Sequence, residues 1–146
     1  MWFVYALSAA VIWGISYAAS GRAIERGVSP IVFFTLYAVV GALMGFGALA
    51  ASGRLATFPD EIRGIGKDWV WLVIAVITSG VGALLIYMAI GEKNATVASL
   101  IEISYPLFVA FFAWLFFRET QFNAATVLGA VLIISGVGVV FLGNRH

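Results

Sequence analysis

Apolar residues run through the chain in five long blocks, 2–20, 30–51, 69–90, 95–117 and 123–142, and nearly every charged residue falls between them. A helix that crosses a bilayer needs about 20 mainly apolar residues. Within lipid each backbone group must find its partner inside the same segment, which helices achieve. The pattern predicts an all-α membrane protein of five transmembrane helices.

The polar residues between the blocks carry helix-end signals. Ser29-Pro30 reads as an N-cap followed by proline at the first helical position. Gly91 is placed to end the third helix and Asn94 to cap the fourth. Asn94-Ala95-Thr96 also fits a glycosylation acceptor, but so short a loop at the membrane favours the capping role. The one long loop, 52–68, contains Pro59 and mixed charges, which suits the membrane interface.

Composition agrees with the blocks. Hydrophobic residues make up 63% of the chain and charged residues 10%, whereas soluble domains carry about 25% charge. Mean hydropathy is +1.07. A net charge of +1 gives no sign of nucleic-acid binding, and the absence of cysteine excludes disulfides and thiolate metal sites. No Lys or Arg precedes the first apolar run, so that run is expected to be a membrane span and not a secretory signal. No Ser/His/Asp set, metal-ligating cluster or phosphate-binding glycine loop is present, so neither enzyme chemistry nor a cofactor is expected.

Orientation is where charge becomes informative. Five helices place the termini on opposite sides. The N-terminal side holds Arg54, Arg63, Lys67 and Arg118; the other side holds Arg22, Arg26, Lys93 and Arg145, four against four. The positive-inside rule therefore selects neither orientation. The balance is either a bias that happens to cancel or the mark of a chain that inserts both ways and pairs with its own inverted copy.

Glu102 is the one charged side chain deep inside a hydrophobic block. A charge at the middle of a membrane helix costs about 2.5–3.5 kcal/mol on insertion scales, and such residues usually face a bundle interior or a wet cavity. On a helical wheel Ala95, Ala98, Ser99, Glu102, Tyr105, Pro106, Val109 and Ala113 share one small, polar side, and Val97, Leu100, Leu107, Phe111, Trp114 and Leu115 fall opposite. Pro106 cannot donate to the carbonyl of Glu102, so a kink is expected there.

Other spans add candidates. The first aligns Trp13, Ser16 and Ser20 on one stripe with Gly14 and Tyr17 beside it, and Trp13 is too deep for an interface belt. The third carries Thr78-Ser79-Gly80-Val81-Gly82 at mid-membrane, a weak point of the kind that marks transporter sites or close helix packing. Tyr37, Tyr87 and Tyr105 offer apolar faces with a hydroxyl. The pair Gly41 and Gly45, and the small residues of the fifth span, are helix-packing signals.

Taken in order, several of these segments resemble a single EamA-type domain of the drug/metabolite transporter superfamily. Ile12-Trp13-Gly14-Ile15-Ser16 resembles the first-helix motif, and Ser29-Pro30 the start of the second helix. Tyr87-Met88-Ala89-Ile90 with the run from Ala95 to Glu102 resembles the junction of the third and fourth helices. Tyr105-Pro106-Leu107-Phe108, Ala113-Trp114-Leu115 and Glu119 resemble the fourth helix and its exit, and Gly129 with Gly136-Val137 the fifth. Two positions depart from the pattern: residues 31–40 hold no arginine, and Arg118 stands where glycine is common.

Larger members of that superfamily fuse two such domains as inverted repeats around a central cavity. The resemblance thus implies one half of a ten-helix inverted-repeat transporter, a multi-pass protein of the cytoplasmic (inner) membrane. It further implies a homodimer with small solutes as substrates. The expected site is Glu102, Tyr105, Trp13, Ser16, Tyr87, Ser99 and Ser79, with Pro106 as the kink. Apolar surroundings favour the protonated form of a carboxyl, so Glu102 is a candidate for exchanging a proton against substrate. The alternatives are a Glu102 that only holds helices together, a non-transporting subunit or scaffold, and one half of a heterodimeric transporter.

Overall fold

The computed structural model describes residues 1–119 and 123–144, so Arg145 and His146 lie outside the described residues. Seven α-helices follow in order: α1 (Trp2–Glu25), α2 (Pro30–Ala51), α3 (Phe58–Gly64), α4 (Trp69–Glu92), α5 (Ala95–Glu102), α6 (Tyr105–Phe117) and α7 (Ala124–Gly143). No strand occurs among the described residues. Among the described residues, five segments are long and apolar enough to cross a membrane: α1, α2, Gly66–Glu92, Ala95–Phe117 and α7. The chain is an all-α, multi-pass membrane protein. By contact clustering it divides into two units, Ser20–Gly91 and a second formed by Met1–Ala19 with Glu92–His146.

In the unit Ser20–Gly91, helix ends follow local chemistry. α1 runs to Glu25, five residues beyond the polarity change. It stops at Gly27, whose φ of +102° no β-carbon tolerates well, and Val28 N–H caps the carbonyl of Ala23 at 3.2 Å. Ser29 Oγ then accepts from Val32 N–H at 3.2 Å, which starts α2 with Pro30 in its first turn. The loop after α2 holds the short α3 and a 3-10 turn, Gly66–Asp68, leading into α4. Its Arg54–Glu61 and Arg63–Asp60 ion pairs, at 3.7 and 3.6 Å, are exposed and therefore contribute little to stability.

α4 is continuous through Thr78–Gly82, so the weak point expected there does not interrupt it. Thr78 Oγ1 donates to the carbonyl of Ile74 at 2.7 Å, which satisfies the hydroxyl within its own helix. Gly91 likewise lies inside α4 and does not end it. Its role is close approach: a β-carbon there would stand 2.9 Å from Pro30 Cγ. Nearby, Ile86, Tyr87 and Ile90 are buried, and the Tyr87 ring meets Phe33 at 4.8 Å and Tyr37 at 5.7 Å between centroids.

In the other unit, α5 packs against α7. Asn94 caps α5 by accepting from Val97 N–H at 2.8 Å, and Asn123 caps α7 by accepting from Thr126 N–H at 2.8 Å. The fourth span is broken. α5 ends at Glu102, Ile103 and Ser104 form a turn, and α6 begins at Tyr105. Across the break, Ser104 N–H reaches the carbonyl of Ile101 and Leu107 N–H that of Ser104, three residues back instead of four. Pro106 stands in the first turn of α6, where its missing N–H costs least.

The tighter turn changes which residues are covered. Before the break Ala95, Ala98, Ser99 and Glu102 are among the less exposed positions, but so is Val97, which the wheel placed opposite. After it, Leu107, Ala110 and Ala113 are half-buried, whereas Tyr105 is 61% and Val109 59% exposed. A single wheel fails for this span because it assumes one helical phase through Pro106.

α6 ends on Arg118, which has φ of +59° and ψ of +22°. This is the left-handed conformation that glycine adopts freely and other residues rarely adopt. The Arg118 guanidinium lies 5.6 Å from the Trp114 ring centroid, a cation–π contact that holds the non-glycine residue in place.

Candidate functional site

Glu102 is the last residue of α5, and its side chain is half-buried. Tyr17 on α1 donates its phenolic hydroxyl to Glu102 Oε1 at 2.9 Å, across 85 residues of sequence. Both residues belong to the unit formed by Met1–Ala19 and Glu92–His146. The second oxygen, Oε2, has no protein partner among the described residues, and Glu102 forms no ion pair among them.

One turn before Tyr17 stands Trp13, with ring centroids 5.5 Å apart and planes at 44°. Spacing of four residues puts the two rings on the same face of α1. Trp13 remains 42% exposed. Ser16, next to Tyr17 in sequence, is half-buried. The site therefore consists of a carboxylate, a phenol bonded to it and an indole against the phenol.

The remaining expected residues separate into three situations. Ser99 lies one turn before Glu102 on α5, and its hydroxyl donates to the carbonyl of Thr96 at 3.1 Å. Tyr105 follows Glu102 across the helix break and is well exposed. Ser79 and Tyr87 belong to the unit Ser20–Gly91, where Ser79 is exposed and Tyr87 is fully buried among rings. Tyr87 thus forms packing core in its own unit.

Tyr17 is the functional candidate that the stripe on α1 did not single out. A signal for it was present: it follows Trp13 by one helical turn and carries the hydroxyl that a buried carboxylate needs. Hydrogen bonding between membrane helices is worth about 0.6–2 kcal/mol, so the pair also joins α1 to α5.

The profile of the EamA-like transporter family matches residues 1–142. The chain belongs to the EamA-like transporter family. The match covers the described helices except the last residue of α7 and supports a drug/metabolite transporter type protein in general. No curated protein sequence and no solved structure matches the chain significantly. Within this EamA-like chain, among the described residues, no group of His, Cys, Asp or Glu is arranged to hold a metal ion.

Proposed function

We propose that this EamA-like protein is a secondary transporter of small solutes that works as an antiparallel homodimer in the cytoplasmic membrane, with Glu102 exchanging a proton against substrate. The observation that carries the reading is the half-buried Glu102 carboxyl in a membrane span, held by one tyrosine hydroxyl and left open at its second oxygen. Its position at a helix break fits the discontinuous spans on which transporters build binding sites. Metabolites, amino acids and drugs are the substrate classes to consider.

Two features support pairing of copies. Lys and Arg balance at four on each side, which suits insertion in both orientations. At Gly41, Gly45, Gly129, Gly136 and Gly138 a β-carbon would meet nothing within 4 Å, so these small faces are open to a second helix.

Two experiments test the proposal. Purified wild-type and Glu102→Gln proteins in proteoliposomes are assayed for solute uptake driven by a pH gradient, with loss of uptake expected in the variant. Undiminished uptake by Glu102→Gln would rule out the proton role. Reporter fusions at the C-terminus should report both sides of the membrane in one culture; a single fixed orientation would rule out the antiparallel homodimer.

A further inference from the structure

The geometry points to an organic cation as the substrate class: its ammonium group replaces the Tyr17 hydroxyl beside Glu102, and its apolar part lies against the Trp13 and Tyr17 rings. The inference rests on the transporter reading and adds to it the chemistry of what is carried.

Charge gives the first argument. An ionised carboxylate has about four lone-pair positions. Tyr17 supplies one donor to Oε1, and no cationic side chain pairs with Glu102 among the described residues. The arginines whose ion pairs are resolved, Arg22, Arg54 and Arg63, bond instead to Glu25, Glu61 and Asp60. An ionised carboxylate in a membrane span without a protein counter-charge attracts a cationic ligand and repels an anionic one.

The rings give the second argument. Aromatic faces carry negative electrostatic potential and attract quaternary ammonium groups, Trp most strongly. Trp13 and Tyr17 stand 5.5 Å apart with tilted planes, and the Tyr17 hydroxyl ends on the carboxylate. One side of α1 therefore joins two ring faces to one carboxyl group. Neutral polyols would find few hydroxyls to bond: Ser99 already donates within α5, and Ser20 on α1 is fully buried.

Competition gives the inference its sharpest consequence. The cation and the Tyr17 hydroxyl seek the same carboxylate, so removing the hydroxyl while keeping the ring should strengthen binding. The test is calorimetric titration of the purified full chain in detergent with benzyltrimethylammonium chloride. Benzyl alcohol and 3-phenylpropionate serve as neutral and anionic counterparts. Tyr17→Phe should bind the cation about 5–10-fold more tightly. Trp13→Leu should bind it roughly 3–10-fold more weakly, and Glu102→Gln should lose it. The neutral and anionic compounds should bind none of these proteins measurably.

A loss of binding could follow from misfolding, but a gain in Tyr17→Phe could not. Unchanged or weaker cation binding by Tyr17→Phe would overturn the inference, as would equal binding of benzyl alcohol by the wild type. Transport separates the two readings. Cation binding without uptake in proteoliposomes would sustain the inference and remove the transport activity. Uptake of a neutral or anionic solute by a chain that ignores the cation would overturn the inference and leave transport standing.

Discussion

Pro106→Ala tests whether the break in the fourth span is imposed by one residue. Ile103 and Ser104 have ψ of −7° and −12°, roughly 30–35° short of the α-helical value. Alanine restores an N–H that can donate to the carbonyl of Glu102 and removes the ring that crowds it. The added backbone bond is worth about 0.5–1.5 kcal/mol. Alanine's helix propensity adds little, because Pro106 already sits in a first turn where proline is tolerated. The variant should therefore be about 1 kcal/mol more stable in detergent unfolding. Straightening the span should also carry α6 away from its present phase relative to Glu102, so uptake should fall as stability rises. Hydrogen exchange at residue 106 and its neighbours reports the new bond directly. A variant with lower stability, or one with no protected amide at 106, would refute the reasoning, because the break would then be held by packing and not by proline.

Two further substitutions examine local geometry. At Arg118, glycine relieves a left-handed conformation costing about 1–2 kcal/mol but loses roughly 0.5–1 kcal/mol of cation–π contact with Trp114 and about 0.4–1 kcal/mol through unfolded-state entropy. Arg118→Ala loses the contact and keeps the strain, so it should unfold about 1 kcal/mol sooner than Arg118→Gly; equal stability of the two would contradict the left-handed assignment. Gly91→Leu should lose about 1–3 kcal/mol in thermal or denaturant unfolding, because its side chain would meet Pro30 and Ile24. Gly91→Ala should lose less, since a proline ring can shift its pucker away from a single methyl group.

The spans were legible because length and apolarity suffice to define them: α2 begins and ends as its block predicts. Ends governed by backbone conformation were less so. α1 outruns its apolar block because helix persists through residues 21–25 until Gly27 turns the chain. The caps at Ser29 and Asn94 were readable because a side-chain oxygen at a helix start has a local job. Glu102 was readable for its cost in lipid, and Trp13 for its depth. The link through Tyr17 was not, because the meeting of α1 with α5 is a tertiary fact that periodicity within either helix does not contain. The phase slip after Glu102 was hidden for a related reason: a wheel extends one geometry, and three-residue hydrogen bonds replace it at Ser104.

The 85-residue separation of Tyr17 and Glu102 also orders events at the ribosome. Chains emerge N-terminus first, at about 5–20 residues per second. Tyr17 is therefore made roughly 4–17 s before Glu102. During that interval the phenol waits in α1, and the carboxyl later enters a bilayer in which its hydrogen-bond donor is already present. The most expensive residue to insert thus enters with its partner already laid down.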